Sequence, residues 1–270
     1  MLNNESRPGH LPDFKKPPLN EVVLGVQFSR PKGYQQIYAG EVWGLFKSEF
    51  PTVEEHHPIA PVFETFGRPK SGQLGIIKGP SHDRFWFLNQ KGDELIQFQQ
   101  DRLLHNWRKA GDSANEYPRF ESMIERFNDE LGKLEDYLNS LSQQDLVINQ
   151  CEVTYINHIV PKESDAFIAS RWLRYVVFDH DEPEDFSVNF REIIYNDDKN
   201  PQGRFICESS TARDIDGNRI IVMTLTVRGA PKGTDIKSAL NFLSKGRETI
   251  VSRFADLTTD EAHEIWERIK

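Results

Sequence analysis

The chain has 270 residues, of which 37% are hydrophobic, a mean hydropathy of −0.60 and a formal net charge of −9. No apolar run approaches the roughly 18 to 20 residues that a membrane span needs, and the acidic balance argues against non-specific nucleic-acid binding. Only Cys151 and Cys207 are present, too few for a disulfide framework. Residues 1–5 contain no apolar signal core. We therefore expect a cytoplasmic protein with reduced core cysteines.

The first half of the chain is predicted to hold an arm, a central strand and a helix. Prolines favour extended geometry over residues 1–19, because proline lacks a backbone donor. Apolar residues on both faces predict a buried strand over 20–29, and an apolar stripe predicts a helix over 34–50. The remaining predicted elements of this half are irregular residues 51–72, a hairpin of 83–89 with 94–99, and a helix over 118–141.

The second half is predicted to follow a similar order. It opens with a strand over 151–160 and a helix near 165–177. The elements predicted after these are strands over 185–196, 203–212 and 219–228, a long helix over 235–254, and a short helix starting at Thr258 or Thr259. Thr258 and Glu261 have the spacing of a capping box, in which a hydroxyl and a carboxylate satisfy the first amides of a helix.

The opening strands of the two halves contain the same pair of residues, Glu-Val. Glu21-Val22 and Glu152-Val153 align at an offset of 131, close to half of the chain. We therefore expect an α+β fold built by duplication, with halves at 20–148 and 149–270 sharing one antiparallel sheet and the long helices packed on one face. By analogy with known folds, this arrangement resembles a helix-grip or saddle-like sheet.

Three sequence blocks resemble a sporadically distributed, uncharacterised bacterial family of about this length. The blocks are Pro17–Phe28, Leu95–Arg102 with Asn106–Arg108, and Arg253–Thr259 followed by Trp266. This resemblance implies no established reaction, cofactor or ligand. The sporadic distribution implies an accessory of a phage-defence or toxin–antitoxin-type system.

The strongest candidate binding patch is polar and carries one tryptophan. Its residues are Gln97, Gln99, Asp101, Arg102, Asn106, Trp107 and Arg108. Gln97, Gln99 and Asp101 would project from one face of an extended segment and offer donors and acceptors. Trp107 offers a stacking surface, and the two arginines could hold a carboxylate or phosphate. The alternative is a polar outer face, with Trp107 in the core and the arginines paired to surface acids.

The candidates for catalysis are weak. Glu21 and Glu152 lie within apolar strands, where a carboxylate can have a raised pKa, or can instead pair with an arginine. His158 could act as a general base, but the sequence identifies no acid to orient it. We therefore list Glu21, Glu152 and His158 as weak candidates only.

Other motifs predict no cofactor and no metal. Glu54–His57 places neighbouring histidines on opposite faces of an extended segment, which does not suit one ion. The sequence contains neither a Gly-x-Ser-x-Gly elbow nor a phosphate-binding Walker A loop. Lys232-Gly233 could bind an anion ahead of a helix, or form an ordinary turn. The acidic run 179–185 could dock a basic partner, or be a solvated loop.

These patterns favour a non-enzymatic cytosolic binding protein whose sheet presents a polar surface to a partner protein or a small ligand. The alternative is a small-molecule sensor or enzyme with Glu21, Glu152 and His158 in a cavity between the sheet and the helices. Nucleic-acid binding is disfavoured unless Arg84, Arg102, Arg108 and Lys109 form one stripe.

Overall fold

The computed structural model describes residues 7–67, 83–110, 115–161 and 167–270. The fold is α+β. Its strands in the first half are β1 (Leu19–Phe28), β2 (Thr52–His56), β3 (Arg84–Leu88), β4 (Glu94–Gln99) and β5 (Arg102–Arg108). Its strands in the second half are β6 (Ile148–Ile159), β7 (Ser187–Tyr195), β8 (Pro201–Arg213) and β9 (Arg219–Gly229).

These strands form one antiparallel sheet in the order β2-β3-β4-β5-β1-β6-β9-β8-β7. In each half, the last strand of a meander returns to pair with the half's opening strand. The two opening strands, β1 and β6, pair with each other at the centre, where Val23 lies opposite Thr154. Both halves therefore contribute to one continuous sheet.

The two long helices, α2 (Phe120–Ser142) and α3 (Ile236–Leu257), cover one face of this sheet. The two short helices are α1 (Ala39–Phe46) and α4 (Asp260–Ile265). Leu24 on β1 lies directly opposite His105 and Val153, so these three side chains share a face. Glu130 of α2 contacts His105, and Gly246 of α3 lies against Val153. We call this side of the sheet the helix face, and it holds the hydrophobic core.

A glycine allows α3 to approach the sheet closely. A Cβ atom added at Gly246 would lie 2.6 Å from Val153 Cγ1 and 3.1 Å from Val227 Cγ1. Contacts that short do not occur between carbon atoms without a shift of one of them. The position therefore sets the distance between α3 and the strands β6 and β9.

Several predicted elements are shorter or different in the structure. The helix predicted over 34–50 is reduced to a 3-10 turn, Gln36–Tyr38, followed by α1. The segment predicted to be irregular contains β2, a mostly exposed edge strand in which apolar and polar residues do not alternate. Of the helix predicted near 165–177, the described residues form only the 3-10 turn Ala169–Arg171, because Trp172 and Leu173 pack against the C-terminal segment.

The cap of the last helix is one residue later than the Thr258 capping box. Thr259 is the N-cap of α4, and its side chain accepts a hydrogen bond from the Ala262 amide. The Thr258 hydroxyl instead donates to the Phe254 carbonyl at the end of α3 and lies 2.7 Å from His263 Nε2. The two adjacent threonines thus end one helix and begin the next.

Candidate functional site on the open face of the sheet

The face opposite the helices is lined by a row of polar side chains. We call it the open face. Gln99, Arg102, Gln27 and Gln150 lie at directly opposed positions on β4, β5, β1 and β6. All four residues are only 3% to 8% exposed, although none of the described helices covers them. Something else must therefore shield this row from water.

The shield is an extended segment, residues 57–67, which we call the strap. It follows β2 and has no regular secondary structure. Gln99 holds it at Ile59 through both ends of one amide: Oε1 accepts from the Ile59 amide at 2.9 Å, and Nε2 donates to the Ile59 carbonyl at 3.0 Å. Gln27 Oε1 accepts from the Val62 amide at 3.0 Å. The row thus contacts the backbone of the strap.

The far end of the strap is anchored by charge. Glu64 forms ion pairs with Arg204 on β8 and, at 2.8 Å, with Arg228 on β9. Its side chain is only 5% exposed, so both pairs are partly shielded from solvent. Arg204 also donates to the Thr65 carbonyl at 2.6 Å and lies over the Phe66 ring. The strap therefore reaches from β4 in the first half to β8 in the second.

Arg228 connects this anchor to a predicted candidate, Glu152. Arg228 Nη1 donates to Glu152 Oε2 at 2.9 Å across β6 and β9. Burial alone would lower the pKa of Arg228, but the carboxylates of Glu152 and Glu64 raise it. The guanidinium is therefore fixed in its charged state as the centre of a three-residue network.

A second network crosses four strands beside the row. Arg84 Nη1 donates to Gln97 Oε1 at 2.7 Å, and Gln97 Nε2 donates to Asn106 Oδ1 at 2.9 Å. Asn106 Nδ2 then donates to Glu21 Oε1 at 2.6 Å. Each of the two amides, Gln97 and Asn106, thus accepts one hydrogen bond and donates another, which fixes its orientation.

An aromatic ring lies among these groups, but it is Trp86 and not Trp107. The His56 ring stacks on Trp86 with centroids 4.0 Å apart, and the Arg84 and Arg108 guanidiniums lie 5.5 and 5.8 Å from its ring centre. Trp107 points to the helix face and is 2% exposed. It therefore belongs to the core and cannot stack on a ligand bound to the open face.

The structure brings the rest of the predicted patch together but covers much of it. Gln97, Gln99, Arg102 and Asn106 share the open face and are buried. Asp101, in the turn before β5, contacts Arg102 Nε at 3.2 Å. Arg108 is half-buried at the end of β5 and donates to the Gly92 carbonyl at 2.9 Å. The patch is thus a set of internal hydrogen bonds under and beside the strap.

The three weak catalytic candidates do not line a cavity against the helices. Glu21 and Glu152 lie on the open face, and their positions along the central strand pair differ by four residues, roughly 13 Å. Glu152 is paired with Arg228, and Glu21 with Asn106. Burial, together with the nearby Lys109 charge, lowers the pKa of His158, so this half-buried ring is neutral near pH 7.

Sequence reasoning missed a buried polar pair on the helix face. His105 Nδ1 lies 2.9 and 3.1 Å from the carboxylate oxygens of Glu130, and both residues are almost fully buried. His105 alternates with the core residues Leu103 and Trp107, and Glu130 follows Phe127 by three residues on the apolar stripe of α2. A polar residue at a core position of each element was therefore the available signal.

The other sequence motifs have local roles. His56 Nε2 lies 3.1 Å from Glu54, and no group of three potential metal ligands occurs among residues 7–67, 83–110, 115–161 and 167–270. Lys232 pairs with Asp197 at 2.9 Å, while Asp235 caps α3, so a carboxylate of the chain itself takes the position of an anion. In the acidic run, the Pro183 carbonyl accepts from Arg219.

Comparison with protein-family models, with curated proteins and with solved structures gives no match. Within the part of the chain that the structure describes, every helix is too short or too polar to cross a lipid bilayer.

Proposed function

We propose that this chain is a non-enzymatic binding protein whose open face holds an extended segment of a partner protein. The observation that carries the proposal is the contact between Gln99 and Ile59. One side-chain amide forms two hydrogen bonds with the backbone of a single residue, as a neighbouring strand would. Such contacts select an extended backbone and do not depend on the side chain of the residue that is held.

The spacing of the row supports this proposal. Gln99 and Gln27 are two strands apart, roughly 10 Å, because neighbouring strands lie about 4.8 Å apart. Ile59 and Val62 are three residues apart, which is also roughly 10 Å in an extended chain. The row therefore matches an extended segment that crosses the strands, and in this structure the strap is that segment.

The anchor at Glu64 indicates the chemistry of the partner. Arg204 and Arg228 require a carboxylate at the position that Glu64 occupies. A partner segment that replaces the strap would need an acidic residue about five positions after the residue held by Gln99, as Glu64 follows Ile59. The accessory role in phage-defence or toxin–antitoxin-type systems, and the cytosolic location, remain parts of this proposal.

The test separates the strap from the face that holds it. Residues 58–66 are replaced by a glycine–serine linker of equal length, and folding is checked by circular dichroism. A fluorescent peptide with the strap sequence 57–67 is then added, and its anisotropy is measured. We expect saturable binding that Gln27→Leu with Gln99→Leu abolishes and that Gln144→Leu, at an exposed position, leaves unchanged.

Two results would contradict the proposal. A folded linker variant that does not bind the peptide would show that the open face does not recognise extended chains. Binding that persists after both glutamine substitutions would show that the recognition lies elsewhere. A peptide with Glu64→Ala tests the anchor, and we expect it to bind at least about tenfold more weakly because two arginines lose their carboxylate.

We further propose that the two halves arose by duplication. The support is the equivalent strand order on either side of the central pair and the register at its middle. Val23 lies opposite Thr154, and these residues are 131 positions apart, the same offset that aligns Glu21 with Glu152. Related sequences should keep this offset between their two opening strands.

A further inference from the structure

A cleft of about 170 Å³ lies between the strap and the open face. Its apolar walls include Ile59 and Val62 of the strap and Leu104 of β5. Gly25 leaves part of the floor open, because a Cβ atom there would lie 3.2 Å from Leu104 Cγ. For comparison, an engineered cavity of about 150 Å³ in another protein accepts benzene, so this cleft suits a molecule of about six heavy atoms.

Two of the polar residues that line the cleft are incompletely satisfied. Arg102 is 8% exposed and Gln150 is 4% exposed, and both belong to the polar row. Arg102 Nη2 and Gln150 Oε1 are buried and have no hydrogen-bond partner among the described residues. The other members of the row, Gln99 and Gln27, hold the strap. A buried donor and a buried acceptor are thus left over in one small space.

The charges around the cleft are already balanced. Asp101 contacts Arg102, while Glu64 and Glu152 contact Arg228, and Glu64 also pairs with Arg204. The three carboxylates therefore match the three guanidiniums in number. A ligand carrying a full negative charge would leave a net charge in a poorly solvated space, which is costly.

We propose that this cleft binds a small uncharged molecule bearing a carboxamide, with a short apolar group. The amide carbonyl accepts the hydrogen bond from Arg102 Nη2, and the amide N–H donates to Gln150 Oε1. The apolar group packs on Ile59, Val62 and Leu104. The ligand thereby supplies the partners that the described residues do not give to Arg102 Nη2 and Gln150 Oε1.

The proposal is tested with two probes of equal size. Butyramide and butyrate differ in the head group and in charge, and each is titrated against the full chain by saturation-transfer NMR. We expect butyramide to bind with a dissociation constant on the order of 1 to 10 mM, and butyrate to bind at least about tenfold more weakly. Binding of butyrate as tight as that of butyramide would overturn the choice of an uncharged ligand.

Substitutions locate the binding. Arg102→Met keeps the apolar stem but removes the donor, and it should weaken butyramide binding at least about tenfold. Arg213→Met, on an exposed arginine, should have no effect. Leu104→Phe keeps both polar groups but fills the space, so it should also abolish binding and serves if the Arg102 variant does not fold.

Unchanged butyramide binding in either cleft variant would overturn the proposal, as would the absence of binding to the unmodified chain. The inference is independent of peptide exchange, because it concerns the space beneath a docked strap. Loss of peptide recognition with butyramide binding retained would reject the proposed function alone, and the reverse result would reject this inference alone.

Discussion

Replacement of Glu64 by alanine should release the strap without unfolding the sheet. The substitution removes the carboxylate that joins Arg204 on β8 to Arg228 on β9, while every strand keeps its ladder of backbone hydrogen bonds. The strap lies outside these ladders and is held by side chains alone at Gln99 and Gln27. Its opening should therefore be a local event that occurs far more often than global unfolding.

The size of the effect follows from the contacts that are lost. A hydrogen bond to a charged group contributes about 1.5 to 3 kcal/mol, and Glu64 forms one with each arginine. Arg228 keeps Glu152 and both guanidiniums are partly exposed, so we expect a net loss of about 2 to 3 kcal/mol. This corresponds to an opening equilibrium about 30-fold to 160-fold more favourable, at about 1.36 kcal/mol per factor of ten.

Hydrogen exchange at two amides measures this opening directly. The amides of Ile59 and Val62 donate to the side chains of Gln99 and Gln27, so their exchange reports detachment of the strap. We expect both to exchange about 30-fold to 160-fold faster in Glu64→Ala, with strand amides unaffected. Glu208→Ala, an exposed carboxylate on β8, is the matched control and should change neither amide. Equal exchange rates in Glu64→Ala and the unmodified chain would refute the anchoring role.

Three further predictions concern the core and the C-terminal segment. Gly246→Ala should be about 1 to 3 kcal/mol less stable to denaturant than Gly132→Ala, because both gain helix propensity but only the first meets the sheet. Burial raises the pKa of both cysteine thiols, so iodoacetamide should label them on the order of 100-fold more slowly in the folded chain than in urea. Burial and a nearby arginine lower the pKa of His263, so the unfolded chain binds more protons below about pH 6.5. The free energy of unfolding should therefore fall as the pH is lowered through that range, and less steeply in His263→Gln.

Strong periodicity made several elements predictable from the sequence. The apolar run of β1, the hairpin of β3 and β4, and the long helices α2 and α3 all carry patterns that local sequence fixes. The element β2 carries no such pattern, because an exposed edge strand needs no apolar face. The helix predicted near 165–177 is not formed by its described residues, 167–177, because apolar residues there pack on the C-terminal segment without forming a long helix.

Part of the candidate site was predictable, because side chains alternate between the two faces of a sheet along each strand. Alternation along β5 places Arg102, Asn106 and Arg108 on one face and Trp107 on the other, so parity alone would have separated the tryptophan from the patch. The strap could not be foreseen, because the hydrogen bonds and ion pairs that hold it to the sheet join residues 35 or more positions apart in the chain. From its sequence pattern the polar face is predicted to be exposed to solvent, but the strap covers the polar row and buries it.

The two halves use equivalent positions on the open face differently, and this difference explains the direction of the strap. Glu21 lies opposite Arg108 as Glu152 lies opposite Arg228. In the first half, Arg108 Nε donates to the Gly92 carbonyl and Glu21 accepts from Asn106, so both form hydrogen bonds within that half rather than with the strap. In the second half, Arg228 keeps Glu152 and still binds Glu64. Amides in the first half therefore hold the backbone, and arginines in the second half select the acidic residue.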